Sequence, residues 1–355
     1  MNLRYLDILR TKKEDCKKSP ASNTHIKNLL AFSGGVDSSA LFHALLEHQI
    51  PFDIAIVNYA VRVQSSDEVA YAKELAKAYG KRVFVHNAKH ISSNFEHNAR
   101  AIRYEFFRSL CKEHHYSNLI VAHQLNDRLE WLLMQLCRGS GICGLSGFRG
   151  VQESGDFCIV RPMCEISRDE IVAYLHARNI KFFTDESNDD ARFTRNYIRL
   201  EFANKLLARH KSGISQTLEI LSTQVRELFI TPMCITPMLF VAPLHSVREI
   251  NLQSIDSALK SLGYVMSAKQ RKELARLDYH IEICKTGECF IVGSNTERIF
   301  ITKRVSKKKI SMPKNIKEQY RVKKIPKNIR PALFEAKIYD KALEQMLLKI
   351  ENLTR

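Results

Sequence analysis

The sequence lacks any Cys-x-x-Cys pair, and its nine cysteines are scattered and odd in number. Disulfide frameworks are typical of short secreted chains with an even number of cysteines, and zinc ribbons need closely spaced cysteine pairs. Neither is therefore expected, and this cysteine usage fits a cytoplasmic chain. Cys284 and Cys289 fall in a predicted hairpin, where we expect them to be packing residues.

Long hydrophobic runs are also missing. No apolar run approaches the roughly 20 residues that span a bilayer. The N-terminal stretch lacks the apolar core and small-residue cleavage site of a secretory signal. Apolar residues make up 45% and charged residues 26%, as in ordinary core-forming proteins. We therefore expect no membrane association and a cytoplasmic location.

Acidic residues are scarce, with 38 Asp and Glu against 55 Lys and Arg, so the net charge is +17. The excess is uneven, because residues 301–330 contain twelve basic residues and one acid, Glu318. Such a cluster favours a polyanionic partner, most often nucleic acid. A solubilising surface is the alternative. A membrane surface is less favoured, since these basic residues do not line one face of an apolar helix.

Short apolar segments alternate with helical ones over the first two hundred residues. The predicted strands are residues 29–32, 54–58, 83–86, 119–123 and 159–161. This alternation predicts an α/β fold with a parallel sheet and helices on both faces. Such sheets bind ligands at the carboxyl ends of their strands. The segment SGGVDS at 33–38 and His123 both lie at such ends.

After about residue 215 the pattern changes to helices, a hairpin over 281–303, the basic stretch and a short final helix. We therefore predict three parts: an α/β domain over 1–212, a helical and hairpin middle over 213–300, and a small basic α+β module over 301–355.

The segment at 33–38 joins the first predicted strand to a helix. Its glycines allow close approach of the backbone, and the free N–H groups of the helix start point at a ligand, so the loop is a natural anion site. It is not the GxxxxGK[ST] loop of common NTPases, because the Lys is missing and the loop is shorter. Asp37 therefore stands inside a site built for anions.

Strand, SGGVDSS and helix in one run resemble the PP-loop ATP pyrophosphatases, whose members bind ATP and release pyrophosphate. The resemblance implies ATP as co-substrate, and it implies that the loop residues at its phosphates are Ser33, Gly34, Gly35, Val36, Asp37 and Ser38. A carboxylate can lie beside phosphates when a cation lies between them, so Asp37 is interpreted as a Mg²⁺ ligand. The alternative is a helix N-terminal Asp that stabilises the macrodipole.

Three further stretches narrow the family. They are FEHNARAIRYEFF (95–107), AHQLNDRLEWLLMQLCRGSGICGLSGF (122–148) and FFTDESNDDARFTRNYIRLEF (182–202). With SGGVDS they resemble the tRNA(Ile)-lysidine synthetases over about residues 29–202. That resemblance implies an ATP-dependent ligase. The C2 oxygen of the wobble cytidine in the CAU anticodon of tRNA(Ile) is adenylated, and pyrophosphate leaves. The ε-amine of free lysine then attacks C2, and AMP leaves.

The resemblance also suggests residue roles. Asp127 and Glu130 would hold the amines of lysine and deprotonate the attacking one; the alternative is a pair of solvated acids at a helix start. His123 would orient ATP or substrate, or is a packed strand-end histidine. Residues 1–212 would form the catalytic domain and 301–355 a tRNA-binding module. The candidate contacts to tRNA or substrate are Arg62, Arg100, Arg103, Arg138, Arg195, Asn196, Lys307, Lys308 and Lys309.

The chain also departs from the family pattern. Members usually read AHHxDDxxET where this chain has Gln124, Asn126 and Trp131, and often NHGxR where it has Tyr59. Roles that depend on the replaced residues do not carry over. The oligomeric state stays open, with a homodimer among the alternatives.

The sequence disfavours three rival functions. A PP-loop tRNA thiolase would use catalytic cysteines or a cluster held by Cys-x-x-Cys, and that pair is absent. The basic C-terminal region and the RGSG and DESN runs disfavour a ligase that makes GMP or NAD. An RNA-binding protein with a relic ATP site is disfavoured by the intact loop and by Asp127 and Glu130.

Overall fold

The computed structural model describes residues 1–10, 26–59, 64–88, 95–184, 194–285, 288–304 and 310–351. The chain divides into two compact units, Met1–Thr223 and Gln224–Arg355. Each unit is described by itself. Among the described residues, none of the helices combines the length and apolar character that a membrane crossing requires.

The first unit alternates strands and helices. Its elements in chain order are α1 (Leu6–Arg10), β1 (Asn28–Ala31), α2 (Val36–Glu47), β2 (Asp53–Asn58), α3 (Gln64–Ala78), β3 (Val83–Asn87), α4 (Phe95–Glu113), β4 (Asn118–Ile120), α5 (Leu125–Cys137), α6 (Ile142–Leu145), β5 (Val151–Ser154), β6 (Phe157–Val160), α7 (Arg168–Ala177), α8 (Thr194–Ile198), a π-helical turn (Arg199–Ala203) and α9 (Asn204–Leu228).

A six-stranded sheet with the order β3-β2-β1-β4-β6-β5 organises this unit. Every pairing is parallel except that of β5 with β6. The predicted parallel α/β sheet is therefore confirmed. Strand β5 was not predicted, because Val151–Ser154 is mostly polar and its burial is low.

Both faces of the sheet are covered. Leu30 lies in a core with Phe42 and Leu45 of α2. Its neighbour Leu29 lies in a different core with Phe107 of α4. Successive strand residues point to opposite faces. The apolar side chains of Asn28–Ala31 therefore pack against helices on both faces of the sheet. This is why the strand sequence is continuously apolar after Asn28 rather than alternating between apolar and polar residues.

The switch in strand order lies at β1. This strand pairs with β2 on one side and with β4 on the other. The chain therefore runs from β1 outwards to β3 and later returns to β4. Parallel sheets open a crevice at such a point, outside the carboxyl ends of the two diverging strands. The loops that follow β1 and β4 border this crevice.

The second unit is a sheet between two helical layers. Its elements are β7 (Met233–Thr236), β8 (Leu239–Pro243), α10 (Arg248–Ser261), α11 (Ala268–Arg276), β9 (Ile281–Lys285), β10 (Glu288–Ser294), β11 (Arg298–Arg304), α12 (Lys314–Val322), α13 (Arg330–Glu335) and α14 (Lys341–Glu351). The strand order is β7-β8-β11-β10-β9, and each pairing is antiparallel.

Alternation along β11 separates the two layers. Ile299 and Ile301 pack with Leu259 of α10. Phe300 packs with Tyr320 of α12 and Leu333 of α13. Strand β11 runs through the boundary predicted between residues 300 and 301. The division into three parts stays a prediction.

The two hairpin cysteines form a bond. Cys284 of β9 and Cys289 of β10 lie directly opposite each other in the strand register. A disulfide joins them. The expectation of simple packing residues is therefore wrong for this pair.

Candidate active site

The loop after β1 is held by its own hydroxyl groups. The Ser38 hydroxyl accepts a hydrogen bond from the Ser33 backbone N–H at 3.2 Å and lies 3.1 Å from the Ser33 hydroxyl. The Ser39 hydroxyl donates to the Gly34 carbonyl at 3.1 Å. These bonds hold the turn closed, so the loop shape is largely set before a ligand arrives.

The two glycines have different roles in this loop. Gly35 is the N-cap of α2 in an extended conformation. Gly34 has a φ of +75°, and a Cβ there would lie 3.2 Å from the Phe183 ring. The Gly34 carbonyl also accepts a hydrogen bond from the Phe183 N–H at 2.9 Å. Only glycine fits both the left-handed conformation and this close approach.

Asp37 follows in the first turn of α2, and its charge is poorly compensated. Its Oδ2 lies 3.5 Å from Nη1 of Arg168. Its buried Oδ1 has no hydrogen-bond partner among the described residues. Burial, and next the charge of Asp127, raise the pKa of Asp37 to about 7 against the opposing effect of Arg168. A carboxylate oxygen left without a donor beside another carboxylate suits a divalent cation.

The predicted acids Asp127 and Glu130 lie on α5, across the crevice. Asp127 Oδ2 accepts from the Gln124 N–H at 3.0 Å and so caps the helix. Its Oδ1 accepts from Arg195 Nη2 at 2.5 Å. Asp127 is therefore fixed by the backbone on one side and by a guanidinium on the other.

Glu130 lies one turn further along and is fully buried. Its carboxylate accepts from Arg195 Nε at 2.7 Å and from Arg199 Nε at 2.6 Å. Arg195 thereby joins Glu130 to Asp127. Because Arg195 and Arg199 are four residues apart, they lie on one side of the helix. The turn between α8 and α9 is π-helical, a geometry that is frequent at functional sites.

His123 lies in the loop after β4, three residues beyond its last residue, because the strand ends at Ile120 rather than at the predicted residue 123. Its Nδ1 accepts from Arg161 Nε at 3.0 Å, and its ring packs on Phe148 with centroids 4.9 Å apart. Burial, followed by the charges of Arg161 and Arg100, lowers the pKa of His123 well below its usual value. The imidazole is therefore neutral, and its proton is on Nε2 because Nδ1 is the acceptor.

The residues that depart from the family pattern have structural partners here. The Gln124 side chain accepts from the Asn126 N–H at 2.5 Å as the N-cap of α5. Asn126 donates to Asn204 at 2.9 Å and accepts from the Arg168 N–H at 3.1 Å. This amide therefore joins the starts of α5, α7 and α9, which a second acid could do only as an acceptor.

Other predicted residues are more dispersed. Arg103 is half-buried, while Arg100 is exposed and stacks on Tyr104 at 4.7 Å. Asn196 lies on α8. Arg138 is exposed and ends α5, about 16 Å along the helix axis from Asp127. The predicted residues that lie outside the described part of the chain are Arg62, Lys307, Lys308 and Lys309.

Sequence reasoning missed three arginines. Arg161 contacts His123, Arg168 contacts Asp37, and Arg199 contacts Glu130. Arg199 could have been found, because it follows Arg195 by one helical turn. Arg161 and Arg168 follow the end of β6, whose position next to β4 is a property of the sheet order.

Comparison with known proteins agrees with this geometry. Residues 8–206 match the family model of the PP-loop domain, which is more than half of the chain. The tRNA(Ile)-lysidine synthase of Helicobacter hepaticus is 42% identical, over 79% of this chain and 74% of the relative. That of Helicobacter pylori is 39% identical, over 87% and 89%.

A third relative extends the similarity. The tRNA(Ile)-lysidine synthase of Wolinella succinogenes is 42% identical, over 88% of this chain and 94% of the relative. The alignment therefore reaches far beyond the PP-loop domain. The family resemblance of the motifs is confirmed: the chain belongs to the tRNA(Ile)-lysidine synthase family and contains its PP-loop domain.

Proposed function

We propose that the protein uses ATP to ligate free L-lysine to C2 of the wobble cytidine in the CAU anticodon of tRNA(Ile). The observation that carries this proposal is the pairing of two features across one crevice. A preformed anion loop contains Asp37, whose Oδ1 has no hydrogen-bond partner in the part of the chain that the structure describes. Opposite stand two acids that arginines hold in place.

Adenylation comes first in this scheme. The N–H groups of the loop and of the start of α2 bind the phosphates of ATP. The C2 oxygen of the cytidine attacks the α-phosphorus, and the bond to pyrophosphate breaks. Negative charge grows on the leaving group, and fixed N–H donors stabilise it without reorganisation. The closed hydroxyl network of Ser33 and Ser38 keeps those donors in place.

A magnesium ion is the second part of the proposal. Asp37 would hold it, with Asp127 as the neighbouring carboxylate that makes the site attractive to a cation. When bound, the ion would neutralise phosphate charge.

Lysine enters in the second step. Its ε-amine attacks C2, AMP leaves, and the amine gives up a proton. Asp127 is the proposed acceptor of that proton, because its carboxylate lies at the edge of the crevice and is only partly enclosed. Glu130 is fully buried and already accepts from two arginines, so we assign it the positioning of Arg195 and, through it, of Asp127.

The tRNA would be bound by basic side chains. Arg100, Arg103 and Arg195 surround His123 closely enough to lower its pKa, so they concentrate positive charge at the mouth of the crevice. Arg138, Asn196, Arg62 and the lysine run at 307–309 complete the proposed contacts. A cytoplasmic location belongs to the proposal, because tRNA, ATP and lysine meet there.

The test is an assay with purified protein, ATP, Mg²⁺ and radiolabelled lysine. One set of tubes receives tRNA(Ile) with a CAU anticodon, and the other receives tRNA(Met). We expect label in the isoleucine tRNA alone, with one pyrophosphate released for each lysine attached. Sedimentation of the same preparation tests the homodimer that the sequence left open.

Two results would contradict the proposal. Pyrophosphate release without label would mean that the nucleophile is not lysine, and sulfur donors would be tested next. Equal labelling of both tRNAs would mean that the anticodon is not what the protein recognises.

A further inference from the structure

Trp131 is the single tryptophan of the chain, and 41% of its surface is exposed. It stands on α5 directly after the buried Glu130. Tryptophan has a large flat apolar ring, and an exposed ring beside a binding crevice suits a flat ligand that can stack on it. The family pattern has threonine at this position, which cannot stack.

The ring of Trp131 is held by the glycine-rich segment that follows α5. Its Nε1 donates to the Gly144 carbonyl at 2.8 Å. A Cβ on Gly147 would lie 3.0 Å from the indole Cδ1, so the ring packs directly on that glycine. Gly147 has a φ of +68°, which a larger residue would strain. The indole is therefore fixed in orientation while part of its surface stays open.

Within the described ranges, no aromatic ring and no cation stacks on this indole. An exposed guanidinium lies near it along the helix. Arg138 follows by seven residues, so it lies on the same side of α5 and about 10 Å away along the axis. An aromatic ring on which a base stacks, together with a cation that contacts the backbone, is the usual arrangement for binding single-stranded nucleic acid.

We propose that Trp131 is a stacking platform for an unpaired nucleobase of the substrate tRNA, with Arg138 contacting the adjacent backbone. This inference rests on the proposed function and adds a subsite to it. The adenine of ATP is also a flat aromatic ring that can stack on an indole. The tRNA is favoured because the anion loop lies at the start of α2, whereas Trp131 lies one turn beyond Asp127 on α5, beside Arg138 and the glycine-rich segment.

A single tryptophan makes the experiment direct, because the fluorescence of the unmodified full-length chain reports on this residue alone. Protein would be titrated with tRNA(Ile) of CAU anticodon and, separately, with ATP and Mg²⁺. We expect strong quenching by the tRNA and little change with ATP. Quenching by ATP alone would overturn the proposal in favour of adenine stacking, and no quenching by tRNA would overturn it as well.

Variants then separate stacking from loop positioning. For Trp131→Ala we expect the KM for tRNA to rise about tenfold, with the KM for ATP and kcat little changed, and for Trp131→Phe we expect most of the affinity to return. The control is Tyr79→Ala, which removes a similarly exposed ring just before β3, an edge strand that β2 and β1 separate from β4. A fall in kcat at unchanged KM for tRNA would mean that Trp131 only positions the glycine-rich segment.

If wild-type protein attached no lysine at all while tRNA still quenched the fluorescence of Trp131, the proposed function would fail and the stacking site would stand.

Discussion

Asp37 is a carboxylate in a place that disfavours its charge. Burial and Asp127 raise its pKa to about 7, while an ordinary aspartate titrates near pH 4. Between these two values the folded protein holds a proton that the unfolded chain has released. Stability without metal should therefore fall as pH rises from about 4 to about 7, and the loss is complete above that range.

The first prediction follows from this fall in stability with rising pH. In EDTA, Asp37→Asn should be more stable than wild type at pH 8 by at least about 1 kcal/mol and should show a weaker decline between pH 4 and 7. Added Mg²⁺ should reverse the order, because it stabilises only the protein that binds it. Thermal unfolding at several pH values measures both effects. The exposed first-turn acid of α3 offers the matched control Asp67→Asn, which should leave both curves unchanged.

If Mg²⁺ left the thermal stability of the wild-type protein at pH 8 unchanged, Asp37 would not be a ligand of the proposed metal site. The readout is independent of activity, so it separates the metal site from the reaction.

The second prediction concerns Glu130. This buried carboxylate pairs with Arg195 and Arg199. Glu130→Gln removes its charge, so Arg199 loses this ion pair and Arg195 keeps only its pair with Asp127. Breaking this buried pairing should cost about 3–5 kcal/mol. The matched control is Glu201→Gln, which breaks only the exposed pair with Lys205 and should cost about 0.5 kcal/mol or less. Urea unfolding followed by circular dichroism gives both values, and equal small losses would show that the buried network contributes nothing special.

At the scale of elements, the loop between β1 and α2 depends on a neighbour that is distant in the chain. Gly34 contacts Phe183 through a hydrogen bond and a close approach to the ring. Phe183 belongs to the third family stretch, residues 182–202. The anion loop is therefore hydrogen-bonded to a residue of that stretch.

The third prediction compares two glycines in left-handed conformations. Gly80→Ala should cost about 1–2 kcal/mol from its backbone alone, since a Cβ there meets nothing within 4 Å. Gly34→Ala carries the same backbone cost and also presses on the Phe183 ring. We expect a larger loss of stability for Gly34→Ala and a strong loss of ATP binding, while Gly80→Ala keeps ATP binding. Calorimetric titration with ATP checks this, and unchanged binding by Gly34→Ala would contradict the proposed phosphate site.

Elements with strong local patterns were predictable, and those with weak ones were not. The apolar runs of the first unit predicted the parallel strands, because this signal lies within the strands themselves. Strand β5 is polar, and β7 and β8 lie in a proline-containing stretch without clear alternation. These strands form because they pair with buried neighbouring strands. Strand β8, for example, pairs with β11.

At the scale of the whole molecule, charge is the property that selects a partner. The net charge of +17 is concentrated in residues 301–330, which favours tRNA as the polyanion. Part of that region is the ordered helix α12 and part lies outside the described residues. Binding of tRNA by this region is therefore inferred from its composition and is tested by its salt dependence.

The fourth prediction tests this charge. Reversing Lys307, Lys308 and Lys309 to Glu should weaken tRNA binding and lower the slope of log K against log salt by about 2 to 3, if all three contact phosphates. The same change at Lys73, Lys77 and Lys112, which are exposed lysines of α3 and α4, alters net charge equally and should leave the slope nearly intact. Filter binding over a range of salt concentrations measures both, and equal slopes for the two variants would move the tRNA site elsewhere.

The parallel sheet, the anion loop, the basic bias and the family follow from the sequence alone, because contiguous residues or the overall composition specify each of them. Which groups face one another depends on the tertiary structure. Arg161, Arg168 and Arg199 meet His123, Asp37 and Glu130 because the strand order places β4 between β1 and β6 and folds α8 back onto α5. The charge state of Asp37 and the fixed orientation of Trp131 depend on such neighbours. Burial and charge at a point in space are sums over the whole fold, so no local stretch of sequence contains them.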